Sequence, residues 1–286
     1  MKNLKFKHIE AKGFWVHAIL IFVSLLSIFP FLWLLSTALK GSEENIFQYP
    51  PVFIPKFPTW ENFTGVWNQI PFMLYFWNSM IVAGFTVVLN LILSSLAAYP
   101  LARMDFKGKK PVFYLLLSTI MIPFQAIMLP VYLIVLKLNM VDSVNNFMGF
   151  VGLILPFAVN AFGIFLMRQA FLAIPRELEE AAFVDGCNVF QIWWKILLPM
   201  VKPTLAVLAI FTFIGSWGEF LWPSIVLTKK ALYTLPVGVN DLQGLFSANW
   251  RYIAAGSIIA TVPIVIFFLA MQRYFISGEN DGAVKG

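Results

Sequence analysis

Long apolar runs separated by short polar stretches dominate the chain. They occupy residues 14–38, 76–98, 111–136, 147–167, 204–227 and 253–271. Each is close to or above the roughly 20 residues that a helix needs to cross the hydrocarbon core of a bilayer. Five of the six contain no Asp, Glu, Lys or Arg, and the run at 204–227 contains a single acid, Glu219. The pattern predicts an all-α, polytopic membrane protein with six transmembrane helices. The first run is 25 residues long with no small-residue cleavage site after it, so it reads as a retained span rather than a signal peptide.

Composition supports a bilayer as the solvent. Hydrophobic residues make up 60% of the chain and charged residues 12%, against about 25% charged in soluble domains. The net charge of +6 does not point to nucleic acid, because the basic residues are spread over short loops. They do sort by side. Fourteen of the 20 lie in the N-terminal tail, the second and fourth loops and the C-terminus, and six in the other three loops. The bias predicts that both termini are cytoplasmic. Its clearest local expression is Arg103, Lys107, Lys109 and Lys110 after the second run. No repeat and no low-complexity linker divides the sequence, so residues 1–286 read as one membrane domain. A single cysteine, Cys187, and two histidines, His8 and His17, argue against an internal disulfide and a Cys- or His-based metal site.

Irregularities inside the runs mark candidate chemistry. Pro30, Pro123, Pro130, Pro156, Pro223 and Pro263 lie within predicted spans. Each frees a carbonyl that lipid cannot satisfy, which calls for neighbouring helices or a water-filled cavity. Pro123 with Gln125 and Pro130 is the best candidate for a break facing a cavity. The polar residues Asn90, Ser94, Gln125, Asn160 and Glu219 are the candidates for lining a substrate path. A lone intramembrane acid such as Glu219 points to function, or to packing against a partner subunit; both readings stay open. No second intramembrane acid or base is available for a proton relay, which weakens a proton-coupled carrier.

The fourth loop, residues 168–203, is the longest predicted cytoplasmic segment and reads as two short helices. Pro175 suits a first helical position, Glu177, Glu179 and Glu180 complement the helix dipole, and Gly186 can adopt the left-handed conformation that ends a helix. A second helix through Phe190, Ile192, Trp193, Ile196 and Leu197 is expected to stop at Pro199. At helical spacing Ile174, Leu178, Ala181 and Ala182 share a narrow, small-sided face to which another surface can come close. A mere connection could be a few residues long, so the segment reads as a docking element. The three clustered glutamates argue against a helix lying on anionic lipid.

Glu180-Ala181-Ala182, then Gly186, nine residues, and Ile196-x-Leu198-Pro199 resemble the EAA signature of ABC importer permeases. The run IPRELEEAAFVDG fits that pattern closely. Asn78-Ser79, LAAYPLARMDFKGKK at 96–110, MIPFQAIMLPVYL at 121–133, SWGEFLWPSIVLT at 216–228 and the tail at 277–286 are similar to the carbohydrate-class, maltose-transporter-like subfamily. Gly218 departs from it where asparagine is usual, and so does Glu279-Asn280-Asp281 before the terminal residues. The resemblance implies the type I ABC importer permease fold, in which the later five spans pair with a second, homologous permease around the substrate path. It implies two ATP-binding cassette ATPase subunits, coupled through Glu177, Leu178, Glu180, Ala181, Ala182, Asp185, Gly186, Ile196, Leu198 and Pro199. It also implies an extracytoplasmic solute-binding protein that delivers a sugar, oligosaccharide or related polyol, and a bacterial or archaeal cytoplasmic (inner) membrane as the location. ATP and Mg would be bound by the partner subunits, with no cofactor on this chain. The sequence agrees, since it contains no G-x-x-x-x-G-K-[ST], H-E-x-x-H or G-x-S-x-G motif. The alternatives are an ABC permease for a non-carbohydrate solute, a secondary carrier, which would need an ion site and no dock, and an intramembrane enzyme, which would need paired catalytic residues.

Overall fold

The computed structural model describes residues 3–143, 145–244 and 249–282, and among these the regular structure is helical apart from one isolated bridge, Lys40 with Pro58. In chain order the helices are α1 (Asn3–Leu39), α2 (Glu61–Gln69), α3 (Phe72–Arg103), α4 (Lys109–Ser118), α5 (Phe124–Lys137), α6 (Asn146–Ile154), α7 (Ala161–Leu172), α8 (Glu177–Val184), α9 (Val189–Gln191), α10 (Leu198–Met200), α11 (Lys202–Trp217), α12 (Leu221–Val226), α13 (Leu235–Asp241) and α14 (Trp250–Gly282). The end of the 277–286 tail motif lies outside the described residues.

Three of the helices are long and apolar enough to span a bilayer without a break: Gly13–Leu39, Phe72–Arg103 and Trp250–Gln272. Three further pairs are long and apolar enough only when taken together, and each is bent at a short break: Lys109–Met121 with Phe124–Lys137 at 103°, Asn146–Phe157 with Ala161–Leu172 at 53°, and Val189–Met200 with Lys202–Trp217 at 81°. Counting each pair once gives six. The apolar runs 111–136, 147–167 and 204–227 are each broken within their length. At the first break Pro123 is extended (φ −65°, ψ 139°) and so is Ile122 (φ −90°, ψ 111°), in keeping with the way a proline disfavours the helical region for the residue before it. At the second, a 3₁₀ turn over Leu155–Phe157 holds Pro156, and the Asn160 side chain then starts α7 by accepting from Gly163 N. In the 204–227 run α11 ends at Trp217 and α12 begins at Leu221. Pro30, Pro130 and Pro263, by contrast, are carried inside helices that continue through them.

The chain divides into two compact units, Met1–Pro71 with Val239–Ile259, and Phe72–Gly238 with Ala260–Gly286. In the first, the loop after α1 is pinned by side chains that take its carbonyls and amides. Lys40 Nζ donates to Val52 O at 2.6 Å, Asn62 Nδ2 donates to Ala38 O and Lys40 O, both at 2.8 Å, and the Glu44 carboxylate accepts from Lys56 N and Phe57 N. Arg251 donates to the carbonyls of Ser42 and Glu44.

In the second unit α3 is the central post, with α7 and α11 packed along it. Gly163 allows the close approach of α7: a Cβ there would lie 2.6 Å from Ser94 Oγ. One hydrophobic cluster gathers Tyr99, Phe113, Met167, Phe171, Trp193 and Leu197 around the α8 end of α3. Another gathers Val82, Val135, Leu153, Trp222, Val226 and Leu232 farther up. Beyond it, buried Asp142 accepts from Thr228 N and Lys229 N at 2.7 Å and from Thr228 Oγ1 at 3.0 Å, clamping two loops together. Asn78 and Ser79 act similarly: Asn78 Nδ2 donates to Ala231 O and Tyr233 O, and Ser79 Oγ accepts from Leu235 N.

Candidate functional site

Two places carry the candidate chemistry, and α3 passes through both. The first is the segment from Ile174 to Pro199. Glu177, Glu179 and Glu180 fill the first turn of α8, where their charge meets the exposed amides. Asp185 follows the last turn, and Gly186 adopts φ +83°, the left-handed conformation that turns the chain away. Asn188 then caps α9 through a reciprocal capping box with Gln191. The segment does not stop at Pro199. Ile192–Leu197 forms a π-helical stretch, and the widened turn lets Pro199 sit in the first turn of α10, where no amide is needed from it.

Burial divides the docking face inferred from sequence. Glu177, Leu178, Glu180, Ala181, Asp185 and Gly186 are exposed, as are Phe183 and Val184, the latter at 87%. Ala182, at 5%, packs into this chain's own cluster with Ile174, Ile192 and Trp193. Ala182 is therefore a core residue, and the outward surface of α8 is built from Leu178, Ala181, Phe183 and Val184. Ile196 and Leu198 pack partly against the same cluster, while Pro199 is exposed.

Glu179 is the acid of α8 that turns inward. Its Oε1 lies 2.6 Å from Arg103 Nε, with the side chains 10% and 5% exposed. Arg103 also donates to Ile174 O at 2.6 Å. Burial pushes the Glu179 carboxyl up, and the positive Arg103 and Arg176 offset this only in part. Nothing in the sequence brings Arg103 to Glu179; it reads there only as one of the basic residues that set orientation.

The second place is a cavity of about 200 Å³ between α3, α6 with the turn that follows it, α11 and α12. Its polar lining is Thr86, Asn160, Thr212, Ser216 and Glu219, and its aromatic walls are Phe157, Phe211 and Trp222. Glu219 Oε1 accepts from Trp222 N at 3.0 Å and so caps the first turn of α12. The Asn160 oxygen is taken by Gly163 N, which leaves its amide donors free to face the cavity, and the Thr212 hydroxyl is buried without a hydrogen-bond partner. Asn160 and Glu219 thus come together as path candidates, whereas the other three do not join them. Asn90 and Ser94 are fully buried between α3 and α7, with Asn90 Nδ2 donating to Phe157 O and Ser94 Oγ to Asn90 Oδ1; they are packing groups. Gln125 is exposed just after the Pro123 break and does not line the cavity. The break that does face the cavity is Glu219 with Pro223. Thr212, Ser216 and Glu219 repeat at helical spacing, a signal that could have found this face from sequence.

Residues 90–278 match the family described as "Binding-protein-dependent transport system inner membrane component". The chain belongs to this family. The permease is 38% identical over 266 residues to the arabinooligosaccharides transport system permease protein AraQ of Bacillus subtilis (strain 168), covering 92% of each chain. It is 33% identical over 273 residues to the sn-glycerol-3-phosphate transport system permease protein UgpE of Yersinia enterocolitica, covering 93% of this chain and 95% of that one. Among solved structures it resembles a chain of a bacterial ABC transporter involved in the import of the acidic polysaccharide alginate, with a TM-score of 0.77 and 26% identity over 93% of this chain and 97% of that one. The permease is a multi-pass membrane component of an ABC importer, and ATP hydrolysis belongs to separate subunits. It works with a solute-binding protein and ATPase subunits.

Proposed function

We propose that the permease forms half of the translocation path of an importer for a sugar, oligosaccharide or related polyol, paired with a second, homologous permease and driven by two ATPases, one of them docked on α8. The observation that carries this reading is the small, outward surface of α8, held on a buried ion pair and ended by a left-handed glycine. The basic bias supports a cytoplasmic position for this surface and for both termini. Alternating access follows if ATP and the loaded binding protein favour different states of the assembly.

The cavity supports the solute class. It offers amide donors, hydroxyls, one carboxylate and aromatic walls, a set that suits hydroxyl-rich rings, which use polar groups to fix orientation and apolar faces for contact. The carbohydrate substrates named for AraQ and for the alginate importer point the same way. The test is purification of the tagged permease from its native membranes. The expected result is a complex with two ATPase subunits and a second permease, whose ATP hydrolysis rises when an oligosaccharide-loaded binding protein is added. A permease that purifies alone and moves solute without ATP would contradict the reading.

A further inference from the structure

The Arg103–Glu179 pair does more than close a loop. One guanidinium grips the segment on both sides of the α8 start: Nε meets the Glu179 carboxylate at 2.6 Å, and a terminal nitrogen meets the carbonyl of Ile174 at 2.6 Å. The end of α3 that carries this residue is itself held from other sides. Arg168 of α7 donates to Leu101 O at 3.0 Å and lies 4.0 Å over the Phe113 ring. Lys109 of α4 donates to Met104 O at 2.7 Å. The carbonyls at the end of α3 are therefore taken by cations, as helix C-termini favour.

From Arg103, α3 runs as one helix to Thr86 and Val82 on the cavity wall, a distance of about 25–30 Å at the helical rise. Apolar contacts around Ala182 can slide. One guanidinium that pairs with a buried carboxylate and also donates to the Ile174 carbonyl is held at two points, so it fixes orientation as well as distance. Buried ion pairs are also poor stabilisers compared with apolar replacements, so stability alone does not account for one here.

We infer that Arg103 and Glu179 are positioning residues that carry displacement of α8 into α3 and so to the cavity wall. The inference rests on the reading of α8 as the ATPase dock. The test uses the whole reconstituted complex with three versions of the permease: wild type, the apolar double variant Arg103→Met with Glu179→Leu, and Arg103→Lys. The readouts are the ATPase content of the purified complex and the ratio of binding-protein-stimulated to unstimulated ATP hydrolysis. The double variant is expected to keep its ATPase subunits while the ratio falls by about tenfold, the size of an ordinary coupling free energy. Arg103→Lys, which keeps the charge beside Glu179, is expected to recover most of the ratio. A double variant with the wild-type ratio would overturn the inference, because the pair would then only hold the loop. Loss of the ATPase subunits from the double variant would overturn it as well, since the pair would be a docking element, and so would an Arg103→Lys complex as uncoupled as the double variant. ATPase subunits missing from the wild-type complex would instead remove the docking reading beneath it.

Discussion

At the scale of single residues, two acids define what the fold asks of charge. Burial by itself raises the Asp142 carboxyl, but the amides of Lys229 and Thr228, the Thr228 hydroxyl and the Lys229 charge together hold it below the usual carboxylate range. A lowered value in the folded state means that the stabilisation is present above the ordinary carboxylate pKa and is lost as pH falls through the lowered one. Asp142→Ala leaves two amides without acceptors and is expected to lower stability by about 2–4 kcal/mol at neutral pH. The gap from wild type should narrow as the medium is acidified. Thermal unfolding in detergent across pH checks this; a gap that does not change with pH would show that the carboxylate charge is not the source. Glu219 differs, because its oxygen caps α12 while it faces the cavity. Gln keeps an acceptor for Trp222 N and removes only the charge. Glu219→Gln is thus expected to assemble normally and to slow uptake by no more than about tenfold, the upper end of what a typical net hydrogen bond of about 0.5–1.5 kcal/mol is worth. Loss of the complex at normal expression would mark Glu219 as an assembly residue.

At the scale of elements, close approach governs what can be changed. A Cβ on Gly152 of α6 would lie 2.1 Å from the carbonyl oxygen of Met140, which is backbone and cannot swing aside, and the Gly152 carbonyl accepts from Trp222 Nε1. Gly152→Ala is expected to cost about 1–3 kcal/mol by overpacking. Gly84 of α3 has nothing within 4 Å of its Cβ position, and Gly84→Ala is expected to be neutral or to stabilise by up to about 1 kcal/mol. Melting temperatures of the two variants, compared directly, check the packing of α6 on the preceding turn. The apolar runs were legible in the sequence because a bilayer demands them, whatever the tertiary structure. Their breaks were only half legible. Pro123 and Pro130 look alike as letters, yet one opens a 103° bend and the other sits inside α5, since a proline removes a local hydrogen bond and only the surroundings decide whether the helix ends. The face of α8 was misjudged for a related reason. Leu178, Ala181 and Ala182 all lie within α8, but its inward line is Glu179 with Ala182, three residues apart, so Ala182 is buried while Ala181, about 100° round the helix, is exposed.

At the scale of the whole molecule, the family and the helical fold could be read from spacing along the chain, whereas the contacts that hold the 174–199 segment could not. Arg103 and Glu179 are 76 positions apart and meet only because α7 returns the chain to the end of α3. The cavity likewise needs Thr86, Asn160 and Glu219 from separate helices. The central claim is that the outward surface of α8 is where an ATPase docks. It is tested most directly by Val184→Asp, at a position 87% exposed in this chain, with Gly186→Val beside it, where a β-branched residue is strained by φ +83°. Ala182→Trp is not a suitable probe, because its bulk would enter the permease's own core. The measurement is the ATPase content of the purified complex together with uptake in proteoliposomes. The account predicts that both variants insert and pair with the second permease, while the ATPase is lost from the complex or retained without stimulated hydrolysis, and uptake fails. Val184→Asp and Gly186→Val complexes that keep their ATPase subunits and transport at the wild-type rate would contradict it.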